Sequence, residues 1–216
     1  MEDRKKRSAI CMLVWVMIIF KCFGESLVSS ALQSQETREN ISTENCGIDV
    51  VMVVDNSESM WSMQDLRNDA MSTVLEKSVK GDDINIGCVY FADGDGVDNN
   101  GIYKDYSLLS IKTDEGYGQV SGELNLTLQY QSYRNRNIGV GLKKGRELFN
   151  NHDKNRKKVM ILLVCGVNEN PKEIEKQYAD ELTKQQVELL KSEEIILYCI
   201  YIKKDGSSLK CVGKNR

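Results

Sequence analysis

Residues 51–60, VMVVDNSESM, run from unbroken aliphatics straight into an acid and a cluster of hydroxyls. An aliphatic run without polar alternation predicts a strand covered on both faces, as in a parallel sheet. The residues that end it, Asp55, Ser57 and Ser59, fall on alternate positions. A helix cap accounts for one of their oxygens, because Asp and Ser both accept from free helix N–H groups. Two oxygens remain without a role, and the rest of the chain has to supply one.

Outward from this stretch, short apolar runs alternate with longer amphipathic ones. IDVVMVV (48–54) is the first strand. Between Met60 and Val79, the residues Leu66, Ala70 and Val74 recur at helical spacing. INIGCVYF (84–91) predicts a second strand, ADGDGVDNNG (92–101) a turn-rich loop and YSLLSIK (106–112) a third strand. Short helices are expected over 118–130 and 138–149, a fourth strand over 159–164, a long charged helix over 171–193 and a fifth strand over 195–202. Strands separated by helices specify an α/β fold, a doubly wound and mostly parallel sheet with helices on both faces. Such sheets bind ligands beyond the carboxyl ends of their strands. Asp55, Ser57 and Ser59 lie at that edge.

The N-terminal residues read as targeting signal instead of fold. A basic start, MEDRKKR, precedes an apolar run of 13 residues from Ser8 to Phe20, and the small Gly24 closes the segment. A membrane span needs about 20 apolar residues, so residues 1–24 are expected to be a cleaved signal peptide, leaving no span afterwards. Cleavage removes five basic and two acidic residues and takes the formal charge from −3 to −6. That acidity argues against nucleic acid or an anionic membrane as the partner. Residues 25–45 are a polar spacer, residues 46–204 the folded domain and residues 205–216 a short tail. In a secreted glycoprotein, Asn40 in NIS and Asn125 in NLT are glycosylation acceptors. Five cysteines survive cleavage, an odd number for an oxidising compartment. Cys88 and Cys199 lie in apolar strand-like runs and are expected to be small core residues.

Several tempting motifs have plainer explanations. GVGLKKG (139–145) lacks the spacing and the Ser or Thr of a phosphate loop, and its small residues suit a helix pressed close to a sheet. DGDGVDNNG (93–101) has the acids of a calcium loop but puts Val97 at a ligand position and has no closing Glu. His152, the single histidine, sits in polar surroundings and is expected to be solvated. With no CxxC pair either, zinc is not expected. Trp61 and Met63 follow the hydroxyl loop, as helix packing or as an apolar rim beside a ligand site.

DVVMVVDNSESM, with this order of elements, resembles the von Willebrand factor type A (VWA) domain family over residues 46 to about 204. RNRNIGVGLKKGRELF and VMILLVCGVNEN stand where that family has its second and third site loops. The resemblance implies a metal-ion-dependent adhesion site. The Asp and two Ser of the first loop would hold Mg2+ or Mn2+, and a Thr and an Asp from the later loops would complete the shell. This sequence has Arg136 at the Thr position and Cys165 at the Asp position. It thereby loses two oxygen ligands and gains a positive neighbour and a soft sulfur. The site is therefore expected to be degenerate, with Arg136 replacing the cation and pairing with Asp55, and with Arg136, Cys165 and Trp61 as ligand-site neighbours. The alternative is that Arg136 swings out to solvent and leaves room for a weakly held Mg2+ or Mn2+.

Complete domains of the family continue past the fifth strand with a further helix, a sixth strand and a closing helix. Here only KKDGSSLKCVGKNR follows, so the last strand and closing helix are expected to be missing and the fifth-strand edge to be open to association. In some relatives a cysteine placed like Cys46 bonds one after the closing helix. Cys211 can take that part only if the tail runs back along the sheet. The family implies cell adhesion or binding of an extracellular protein or matrix ligand, without catalysis. The alternative is a structural component of an extracellular matrix or assembly with no exchangeable ligand.

Overall fold

Because residues 50–54 offer no polar side chain to solvent, β1 (Ile48–Asp55) lies in the interior of the sheet and is buried from Asp49 onward. The computed structural model describes residues 47–78, 81–92, 101–124, 135–150, 152–202 and the strand 210–214. Residues 1–46, Asn125 and most of the 92–101 loop lie outside these. So do the expected signal peptide, spacer, both glycosylation acceptors, Cys46 and the calcium-loop decoy.

The other strands are β2 (Ile84–Phe91), β3 (Ile102–Ser110), β4 (Lys157–Val164), β5 (Ile196–Tyr201) and β6 (Lys210–Lys214). They form one sheet in the order β3-β2-β1-β4-β5-β6. β1 pairs in parallel with β2 and β4, and β4 with β5, whereas the edge strands β3 and β6 are antiparallel. The helices are α1 (Glu58–Trp61), α2 (Gln64–Lys77), α3 (Asp114–Leu124), α4 (Ile138–Glu147) and α5 (Glu173–Ser192).

Strand alternation divides the core between the two faces. Val51, Val53, Val89, Phe91, Met160 and Leu162 pack with Ile138 and Leu142 of α4 and Leu190 of α5. On the other face the Tyr90 hydroxyl donates to Met71 Sδ of α2 at 3.9 Å and to the Leu124 carbonyl of α3 at 3.4 Å. The glycines of GVGLKKG have the role expected of them. A Cβ at Gly141 would stand 2.6 Å from Phe91 Cδ1, and one at Gly145 2.6 Å from Val53 Cγ2. Only hydrogen at these positions lets α4 lie so close to the sheet.

The structure corrects four expectations. β5 is not an uncovered edge, because β6 pairs with it, so association through a bare fifth strand has no basis here. Backbone pairing needs no apolar run, and β6 lay hidden in the stretch read as tail. Among the described residues no helix follows β5. β3 begins four residues before the strand expected from 106–112, since its first half is a half-exposed edge without apolar periodicity. The helix after β1 breaks at Ser62–Met63 into α1 and α2.

His152 is the fourth correction: it is half-buried and not solvated, with Nδ1 3.5 Å from Asp49 Oδ2. Asp49 is wholly buried at the start of β1. Its Oδ1 accepts from Arg156 Nε at 2.6 Å and from Asn85 Nδ2 at 2.7 Å. Arg156 also donates to Asp83 Oδ1 at 2.9 Å and to the Ile48 carbonyl at 3.1 Å. A buried carboxylate needs such partners, and they fix the end of the sheet opposite the hydroxyl loop.

Candidate functional site

Three loops meet at the carboxyl edge of the sheet. The first leaves β1 at Asp55, and its path is set by the Asn56 N–H, which donates to the Phe91 carbonyl at 2.8 Å. Asp55 Oδ1 accepts from the Ser57 N–H at 2.9 Å. The second loop enters α4, where Asn137 caps the helix by accepting from the Val140 N–H at 3.3 Å. The third follows β4. It is tied to the second by an antiparallel bridge between Arg136 and Glu169, with backbone bonds of 2.9 and 3.0 Å. Buried Asn168 strengthens the junction, accepting from the Ile138 N–H at 2.7 Å and donating to Asp180 and Thr183 of α5 at 2.9 and 3.0 Å.

Arg136 lies at the convergence with only 3% of its side chain exposed, against 0% for Asp55. Its Nε donates to Asp55 Oδ2 at 2.5 Å. Its Nη2 donates to Ser59 Oγ at 2.5 Å, Ser57 Oγ at 3.1 Å and Cys165 Sγ at 2.9 Å. Nη1 donates to the Val167 carbonyl at 2.6 Å and stands 3.7 Å from Glu169 Oε2. Acceptors within the fold thus meet all three nitrogens. The guanidinium also rests on Gly166, where a Cβ would stand 2.4 Å from Nη1.

The electrostatics follow from burial and pairing. Burial pulls Arg136 down, and the facing Asp55, with Cys165 and Glu169, more than offsets this, so its pKa ends above the ordinary arginine value. Cys165 donates its thiol to Asp55 Oδ2 at 3.4 Å. Burial, then the Asp55 charge, push this thiol up to about 11. It is therefore protonated at neutral pH, neither a thiolate nucleophile nor a thiolate ligand.

Asp55, Ser57, Ser59, Arg136 and Cys165 are thus one hydrogen-bonded cluster. Trp61 ends α1, two residues past Ser59, and is 38% exposed, whereas Met63 turns into the core. Of the expected Cys46–Cys211 bond, Cys46 and the Cys211 side chain lie outside the described residues. The β6 backbone does run antiparallel to β5, the return direction such a bond requires, with Cys211 opposite Ile200.

Sequence reasoning missed Arg67, a second buried guanidinium, which donates to Asn56 Oδ1 at 3.1 Å beneath the first loop and lies over the Tyr90 ring. Burial lowers its pKa from the usual arginine value. The signal was present: Arg67 shares a helical stripe with buried Met63, Ala70 and Met71.

The donor set suits a hard cation poorly. An ion among Asp55, Ser57 and Ser59 would meet a guanidinium already bonded to all three, and the position that should add a carboxylate offers a protonated thiol. Among the described residues, no group of three or more His, Cys, Asp or Glu side chains could hold a metal, and no helix is long and apolar enough to cross a membrane.

Solved structures with similar folds are distant in sequence. The manganese-loaded TRAP protein of Plasmodium vivax is 17% identical with a TM-score of 0.53, over 74% of this chain and 59% of that one. Proximal thread matrix protein 1 from the mussel byssus is 19% identical with a TM-score of 0.50, over 72% and 38%. The pilus adhesin SpaC of Lactobacillus rhamnosus GG is 21% identical with a TM-score of 0.42, over 60% and 15%. The chain spans less than two thirds of each of these proteins. No curated protein matches the sequence. The family model for the von Willebrand factor type A domain matches residues 49–209, well over half of the chain. The chain belongs to the von Willebrand factor type A domain family.

Proposed function

We propose that this chain is a secreted VWA module that binds an extracellular protein or matrix ligand without a bound metal. The observation that carries this reading is the Arg136 guanidinium, which engages Asp55, Ser57, Ser59 and Cys165 at once. In this role it replaces the cation of the family's adhesion site. It supplies the positive charge that buried Asp55 needs and orders the three loops through directed bonds. Unlike an ion, it cannot be removed by chelation.

Catalysis has no support in this cluster. The seryl hydroxyls bond to a guanidinium, which cannot act as a base, and the thiol stays protonated. Secretion rests on the signal-like segment 1–24, and an adhesive role on the family's character as an interaction module.

Beads coated with the full chain, settled on a reconstituted extracellular-matrix gel, test the reading. Adhesion is expected to be equal with magnesium and with EDTA, and to be competed by soluble protein. Loss of adhesion in EDTA would contradict the metal-independent mechanism. Irreversible incorporation without competition would instead favour the structural-component alternative.

A further inference from the structure

The elements that carry the closed cluster also carry exposed side chains, most of which the cluster does not use. Four large hydrophobic side chains are exposed among the described residues: Trp61, Val167 (74%), Ile174 (77%) and Tyr178 (66%). All four belong to elements that leave the carboxyl edge of the sheet, namely α1, the loop after β4 and the first two turns of α5. Val167 is held at the site itself, since its carbonyl accepts from Arg136. The same elements carry exposed carboxylates. Glu58 is exposed between the two site serines, Glu169 is 60% exposed beside Arg136, and Glu173 is exposed at the start of α5. The neighbouring ammonium groups are occupied, Lys172 by Glu175 and Lys176 by Asp180, both at 2.8 Å.

Resting on the reading of the module as a ligand binder, we propose that this rim docks a protein segment carrying apolar side chains and lysine or arginine. The apolar groups would cover Trp61, Val167, Ile174 and Tyr178, and the basic groups would pair with Glu58 and Glu173, flanked by Glu169, which Arg136 already partly neutralises. This reverses the ligand polarity of a metal-bearing site, whose open cation position favours an acid. Here the buried guanidinium of the cluster is saturated by the fold, and among the described residues of the rim the exposed charges without an opposite partner on the surface are carboxylates, so an incoming carboxylate is repelled. Complementary charge gives such a rim its selectivity and rate, while the aromatic and aliphatic contacts supply most of the affinity.

The test uses full-length protein passed over three immobilised synthetic peptides, of alternating Leu and Lys, Leu and Glu, and Ser and Lys. At about 0.15 M salt, the Leu–Lys peptide is expected to bind at least about ten-fold more tightly than either of the others. Val167→Asp, Ile174→Asp and Glu173→Lys each weaken it about ten-fold, whereas Glu188→Lys, the same charge change late in α5, does not. Unaltered melting curves for these surface variants show that the fold is retained. Equal or tighter binding of the Leu–Glu peptide overturns the polarity. Equal losses in Glu173→Lys and Glu188→Lys overturn the location, and no binding of the Leu–Lys peptide overturns the proposal as a whole. None of these outcomes decides the parent reading, which stands or falls on adhesion in EDTA.

Discussion

Side chain by side chain, the cluster is a matter of one buried carboxylate and what neutralises it. Asp55 has no access to water and takes its counter-charge from Arg136. Arg136→Met keeps much of the length and removes the charge, leaving a buried carboxylate unpaired. That loss is expected to cost about 3–5 kcal/mol in urea unfolding. Asp55→Asn combined with Arg136→Met should recover much of it, because neither charge is then left uncompensated. Cys165 makes a separate prediction. Its folded value of about 11 lies above the reference thiol value of 9.0, so the unfolded chain releases this proton first as pH rises. Stability is therefore expected to fall between about pH 9 and about pH 11. Buried Cys88, raised in the same direction, adds to the slope. Replacing Cys165 with Ala should flatten that part of the pH profile. The identities of these residues were legible in the sequence, because the Asp-x-Ser-x-Ser pattern and the two substituted family positions can be read from letters alone. The number of bonds that Arg136 makes was not, since it depends on a Val167 carbonyl and a bare Gly166 that no side-chain pattern announces.

At the scale of elements, legibility followed burial. β2 was read with its full bounds and β4 within two residues, since unbroken apolar runs leave no alternative to a covered strand. β3 and β6 sit at the sheet edges, where half-exposed or short strands carry no such run. Two predictions belong here. Truncation after Ile202 removes β6 and bares the pairing edge of β5, so the shortened chain is expected to associate in a concentration-dependent way, while the full chain does not. Sedimentation of the two forms checks this, and identical behaviour would mean that β6 contributes nothing to edge protection. The glycines of α4 make the second. Gly141→Ala puts a methyl 2.6 Å from the Phe91 ring and 3.0 Å from Val53 Cγ1, with rigid strands behind both. Such overpacking is expected to cost about 1–3 kcal/mol by chemical denaturation.

Over the whole molecule, β1 works as a shaft pinned at both ends. Asp49 is held by Arg156 where the strand begins and Asp55 by Arg136 where it ends, each carboxylate buried and each taken by a guanidinium from a distant part of the chain. The doubly wound architecture was readable from the order of apolar and amphipathic runs. The pin at Asp49 was not, because Arg156 and His152 lie in a polar stretch that reads as solvated surface and becomes structural only when it folds back on β1. We propose that the pin at Asp55 takes the place of a bound metal. Calorimetric titration with Mg2+ and Mn2+ tests it most directly, comparing the parent chain with a variant carrying Arg136→Thr and Cys165→Asp. No heat of binding is expected for the parent and restored binding for the variant, whose added hydroxyl and carboxylate complete an oxygen shell. Tight, saturable binding of either ion by the unaltered chain would contradict it.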